Sequence, residues 1–235
     1  MPNLTHETGR TADGAQGSAV SRSIEIHAAG VTLQGDLVVP PDARGVVLFA
    51  HGSGSSRHSP RNRFVAERLN DGALTTLLMD LLTPEEEEVD LRTRHLRFDI
   101  GLLAERLVDA VDWLAANEGT ERLPIGLFGA STGAAAALVA AAERPRQVQA
   151  IVSRGGRPDL AGDALERVQA PAMLIVGGAD EPVIELNRQA AKRLPPDARL
   201  EIVPGATHLF PEPGALERVA DLALRWFRDK LGAVG

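Results

Sequence analysis

The chain has no cysteine, which excludes disulfides, thiolate metal sites and a cysteine nucleophile, so any covalent chemistry falls to another side chain. Aromatic residues make up only 3% of its 235 positions, and no aromatic belt marks a binding pocket. No apolar run reaches the roughly 18 residues of a membrane-spanning helix. Residues 1–20 lack both the apolar core of a secretory signal and the acid-poor character of a transit peptide. They read as a flexible tail, with cytoplasmic location as the expectation. Basic residues are in deficit, 25 Lys and Arg against 32 Asp and Glu, for a formal charge of −7. That balance disfavours nucleic acid and anionic membrane as partners and favours small molecules. No repeat or low-complexity linker interrupts residues 21–235, which read as one domain.

Hydrophobic residues amount to 44% and charged residues to 24%, enough apolar material for a packed core. Ser23–His27 and Val31–Val39 flank the short stretch AAG and are expected to pair as a hairpin. Beyond them GVVLFAHG (45–52), TTLLMD (75–80), IGLFGA (125–130), AIVS (150–153), AMLIVGG (172–178) and LEIVPG (200–205) are near-continuous apolar runs. Such runs suit parallel strands buried on both faces. Helical spacing lies between them: Ile100, Leu103, Leu107, Val111 and Leu114 form one apolar face, and Leu216, Val219, Leu222 and Trp226 another. Thr83-Pro84-Glu85-Glu86 has the order of an N-cap, a first-turn proline and a capping-box glutamate, so glutamates 85–88 read as a helix start. The alternation predicts an α/β fold with a doubly wound, mostly parallel sheet covered by helices on both faces. The connection from Ser153 to Pro171 is too short for a helical lid domain.

Gly129-Ala130-Ser131-Thr132-Gly133 fits G-x-S-x-G and stands directly after a predicted strand and before a predicted helix. A serine on such a turn is held in strained backbone geometry with its hydroxyl exposed, and the flanking glycines keep Cβ atoms out of a crowded bend. Serine is a weak nucleophile at neutral pH and needs a general base, which in turn needs a carboxylate to fix its tautomer. His208, in PGATHLF, is the single histidine after Ser131. Asp180, in VGGADEPV, follows a strand and a glycine turn and is the favoured acid; Glu181 beside it and Asp159 in RGGRPD are the alternatives.

A second glycine loop, HGSGSSRHSPRN, follows the strand ending near Ala50. Gly52-Ser53-Gly54 begins like a dinucleotide fingerprint, with Asp80 at the end of the next strand, but Arg57 occupies the third glycine position and no G-K-[ST] is present. Alternatively the loop supplies half of an oxyanion hole, with backbone N–H groups of Ser53 and Thr132 as the two donors.

His51-Gly52 after a strand, the elbow at Ser131, Asp180 and His208 together resemble the α/β-hydrolase superfamily, and the small lidless build is similar to its dienelactone hydrolase-like branch over about residues 23–232. In dienelactone hydrolases proper the elbow nucleophile is cysteine, whereas this chain has Ser131. The resemblance with this departure favours a general serine hydrolase of small carboxylic esters over a lactone-specific enzyme, and it implies no metal and no organic cofactor. An acyltransferase with the same triad is the alternative, followed by a nucleotide-binding enzyme and a non-catalytic binding protein. Arginines 57, 61, 154 and 157 are expected in loops after strands, where they either make solvated surface pairs with nearby acids or, with Arg57 and Arg154 as the first candidates, fork onto a substrate carboxylate. His51 is expected to pack within its loop. His58 and His95 have no assigned role.

Overall fold

A computed structural model describes residues 19–232; most of the expected tail, residues 1–18, lies outside them. Strands β1 (Val20–Ala28) and β2 (Val31–Val39) form the expected hairpin through a two-residue turn, with Ala29 and Gly30 at φ 46° and 76°. Left-handed backbone at both turn positions matches the right-handed twist of the strands it joins. The chain continues through β3 (Val46–Ala50), α1 (Pro60–Asp71), β4 (Thr75–Met79), α2 (Pro84–Thr93) and α3 (Ile100–Ala116). It then forms β5 (Ile125–Ala130), α4 (Thr132–Glu143), β6 (Val148–Arg154), β7 (Ala172–Gly177), α5 (Glu181–Ala191), β8 (Arg199–Val203) and α6 (Ala215–Leu231).

The eight strands make one sheet in the order β1-β2-β4-β3-β5-β6-β7-β8, antiparallel at β1/β2 and β2/β4 and parallel from β4 onward. Successive strand residues point to opposite faces. Val46, Leu48 and Ala50 pack on one side with Leu127 and Leu174, against α3, α4 and the end of α5; Val47, Phe49 and Phe128 pack on the other, against α1 and α6. β3, β4, β5 and β7 are buried along their whole length, as their apolar runs predict. β8 departs from the expectation: it is the sheet's edge strand and is half exposed, with Ile202 39% open to solvent. An apolar run alone does not separate an interior strand from an edge.

On α3, Leu103, Leu107, Val111 and Leu114 are buried; on α6, Val219, Leu222 and Trp226 are. The α2 capping box forms as read, but Glu86 also grips the buried guanidinium of Arg106 at 2.6 and 2.8 Å. Paired in this way, a cation 1% exposed is tolerable next to the core; unpaired it would be strongly destabilising. The link after β6 forms short 3-10 turns over Pro158–Arg167, kinked at Gly162, and carries no lid.

Because β3, β5, β6, β7 and β8 are parallel, the loops after them open on the same edge of the sheet. Ser53, Ser131, Gly155, Asp180 and His208 all sit on those loops, at the carboxyl ends where open α/β sheets bind their ligands.

Candidate active site

Ser131 has φ 51° and ψ −121° between β5 and α4. A non-glycine residue rarely adopts this conformation, and it persists only where the surroundings over-determine it. Two glycines do so here. A Cβ on Gly129 would collide with the Ala134 backbone at the start of α4, and one on Gly133 would collide with the carbonyls of Ala50 and His51 at the end of β3. The bend is therefore compressed between α4 behind and the β3 loop in front. A Cβ on Gly52 would stand 3.1 Å from the Ser131 Cβ, so the second glycine loop passes directly over the serine.

His208 Nδ1 lies 2.7 Å from Asp180 Oδ2. With the carboxylate ionised, Nδ1 carries the ring proton and Nε2 is left as an acceptor. The ring rests against Gly155, whose missing Cβ would lie 3.5 Å from His208 Cε1. Gly155 follows Arg154, whose carbonyl accepts the Ser131 N–H at 3.2 Å. Asp180, His208 and the elbow thus converge. Asp159 is held elsewhere, by Arg157 at 2.7 and 2.9 Å, and Glu181 begins α5. The loop carrying His208 is fastened by Glu212, which accepts from the Thr207 backbone at 3.0 Å and hydroxyl at 2.6 Å. Glu212 was not singled out from sequence, although its separation of five residues from Thr207 is that of a compact turn.

Thr132 is the first residue of α4, so its N–H has no intrahelical acceptor and lies at the positive end of the helix. Across from it, the Ser53 N–H donates to Thr132 Oγ1 at 3.0 Å. Both residues line a cavity of about 370 Å³ that also takes in Leu82, Glu87, Arg97 and Leu103. That volume suits a small organic molecule. Glu87 and Arg97 are pocket residues that the sequence pattern does not reveal. Arg97 is tied by its Nε to the buried Asp90, and its Nη1 reaches over Gly54. Burial alone would raise the Asp90 carboxyl, yet the Arg97 guanidinium and the N–H groups of Leu96 and Arg97 hold it below the usual range. Glu87 is pushed up, first by burial and then by the neighbouring Asp80.

The expected arginines divide. Arg57 lies in the loop after β3, but its guanidinium is engaged by Asp80, with Asp36 3.7 Å away. Asp80 also accepts the Arg57 N–H at 2.8 Å, which occupies the carboxylate that a ribose-binding reading would require. Arg154 and Arg61 are not loop residues: Arg154 is the last residue of β6, and Arg61 belongs to α1. The Arg154 side chain is buried, with Asn62 Oδ1 at 3.4 Å, and no described carboxylate pairs with it. Burial, together with nearby Arg61, depresses its guanidinium to about 10.

His51 packs inward as expected. Leu81 N–H donates to its Nε2 at 3.0 Å, so the ring proton is on Nδ1, which donates to the Gly52 carbonyl at 2.9 Å. This one neutral imidazole ties the end of β4 to the loop over the serine. His58 contacts Arg63 and His95 contacts Thr93. Among the described residues, no group of three or more histidine, aspartate or glutamate side chains is arranged to hold a metal, and no helix is long and apolar enough to cross a membrane.

A central parallel sheet, a serine at a left-handed strand-to-helix bend and an Asp–His pair at the same edge define an α/β hydrolase. Residues 37–228 match the model of the dienelactone hydrolase family, and the chain belongs to that family. It is similar to dienelactone hydrolase from Anabaena variabilis, with 61% identity and a TM-score of 0.89 over 91% of this chain and 99% of that one. An α/β serine hydrolase without lid from Xanthomonas campestris superposes with a TM-score of 0.71 at 22% identity, over 92% of this chain and 97% of that one, a likeness of fold. Proteins from two strains of Mycobacterium tuberculosis, provisionally named phosphoribosyl transferases, are 58% identical over 212 residues. That region is 90% of this chain, which spans only about half (47%) of those relatives.

The His51 clamp carries a pH signature. Burial holds its imidazole below the usual 6.5, although the Gly52 carbonyl and the Asp80 carboxylate act in the opposite sense. The unfolded chain then takes up the proton first, so the stabilisation is complete above about pH 6.5 and declines as pH falls toward the depressed folded value. Urea denaturation from about pH 7.5 to 5.5 is expected to show this decline, by up to about 1.4 kcal/mol per pH unit, and to show less of it in His51→Gln. Equal slopes in the two proteins would contradict the assignment.

Proposed function

We propose that this chain is a serine hydrolase of small carboxylic esters acting through an acyl-enzyme on Ser131. The observation that carries the reading is the 2.7 Å Asp180–His208 contact beside a serine held at φ 51°. In this mechanism His208 Nε2 removes the Ser131 proton as Oγ attacks the ester carbonyl. The charge that develops on the carbonyl oxygen is met at the Thr132 N–H and the Ser53 loop. His208 then returns the proton to the leaving alkoxide, and a water molecule repeats the sequence to release the acid. Asp180 keeps the imidazole in the right tautomer and stabilises its charged form. No step calls for a metal or an organic cofactor.

The dienelactone hydrolase family and the Anabaena variabilis relative support hydrolysis over transfer. We do not extend the phosphoribosyl transferase name to this chain, because the shared region is about half of the proteins that bear it. We further infer that Arg154 gives the site a preference for esters with a negative charge, since its buried guanidinium, at the carboxyl end of β6 beside Asn62 of α1, has no described carboxylate partner. Arg57, spent on Asp80, is the weaker candidate for that role.

Ser131→Ala is expected to lower nitrophenyl ester turnover by about three powers of ten or more, and Asp180→Asn by somewhat less. A folded Ser131→Ala protein with wild-type turnover would sink the mechanism; a silent Asp180→Asn beside an impaired Asp159→Asn would reassign the acid. Arg154→Met is expected to erase any preference for an anionic over a neutral ester of equal size. A preference that survives this change would remove Arg154 from substrate recognition.

A further inference from the structure

The contact between Ser53 N–H and Thr132 Oγ1 joins residues 79 apart in the chain and spans the two halves of the proposed oxyanion hole. A catalytic role for this contact rests on the hydrolytic reading of the site. A backbone N–H has one proton, and here it is directed at the threonine oxygen. A hydroxyl can accept that bond and still donate its own proton. Among the described residues no protein acceptor takes the Thr132 hydroxyl proton, while the residue is 3% exposed and lines the cavity beside Ser53. An unspent donor therefore faces the cavity one residue from the nucleophile.

We propose that the Thr132 hydroxyl is itself an oxyanion donor, with the Ser53 N–H acting through it. In this arrangement Thr132 presents both its backbone N–H and its O–H to the carbonyl oxygen, and the Ser53 N–H donates to Oγ1 from behind. Hydrogen bonds in such a chain polarise one another, so the hydroxyl becomes a stronger donor as negative charge builds on the substrate. A direct role for Ser53 would require its N–H to leave a buried oxygen that then has no donor. The relay leaves the resting contact intact through the reaction.

The test compares wild type, Thr132→Val and Thr132→Ser on one nitrophenyl ester, with thermal melts of each. Thr132→Val keeps the side-chain shape and the backbone N–H; it is expected to lower kcat by about 100-fold with little change in KM, the size of effect seen when one oxyanion donor is removed. Thr132→Ser restores the hydroxyl and is expected to recover most of the lost rate. A purely structural role would lower the melting temperature without this split between kcat and KM. Should the valine protein not fold, Thr132→Ala removes the same hydroxyl with less bulk and reads the same quantity. A folded hydroxyl-free variant as fast as wild type, or faster, overturns the proposal, because Ser53 N–H then meets the oxyanion directly. Absence of Ser131-dependent turnover in wild type overturns the hydrolytic reading as well, so the two failures are distinguishable.

Discussion

The chemistry proposed for this protein depends on how closely α4 packs against the ends of β3 and β5. Gly129 and Gly133 leave no room for a side chain at that contact, and the buried alanines 134–137 continue the approach along the helix. A serine held at φ 51° is unfavourable for an isolated residue, by about 1–3 kcal/mol. Here the helix on one side and the β3 loop on the other allow no relaxed alternative. The strain is supported by the fold, and it holds the serine at the same edge of the sheet as the loop that carries His208.

Around that contact, three loops are fixed by separate polar clamps. His51, neutral and buried, joins the loop over the serine to the end of β4. Glu212 fastens the loop of His208, and the Arg97–Asp90 pair holds the far wall of the cavity. In the His51 and Arg97–Asp90 clamps both imidazole nitrogens and both carboxylate oxygens are paired, which lets polar side chains pack beside an apolar core without large desolvation losses, whereas Glu212 works through Oε1 alone. The arrangement favours a rigid site that opens directly on solvent, in keeping with the absence of a lid over Pro158–Arg167.

Features set by local sequence were legible in advance. The parallel strands appear as apolar runs, the hairpin as two β-rich stretches around a glycine, the α2 start as Thr-Pro-Glu-Glu, and the elbow as G-x-S-x-G after a strand. Asp180 and His208 could be named because each follows a strand whose carboxyl end must lie on the same edge. What pattern could not supply were contacts between distant segments. Sequence leaves Arg57 open between an ion pair with a nearby acid and a fork onto substrate, and only the fold identifies Asp80, at the end of the next strand, as the acid that takes it. Arg154 was expected in a loop but ends a strand, and its burial depends on α1 packing over it. The Ser53–Thr132 bond, the Glu86–Arg106 pair and the cavity roles of Glu87 and Arg97 likewise require the folded arrangement. The half-exposed β8 has the same cause, since strand order decides which apolar run becomes an edge.

The proposed chemistry stands or falls on Ser131 being the nucleophile. A fluorophosphonate probe reacts with an activated serine hydroxyl and leaves a stable adduct whose position mass spectrometry can locate. One adduct per chain is expected, on Ser131, with loss of ester turnover in proportion to labelling. An unmodified protein, or a label on another serine such as Ser53 with Ser131 untouched, would contradict that assignment.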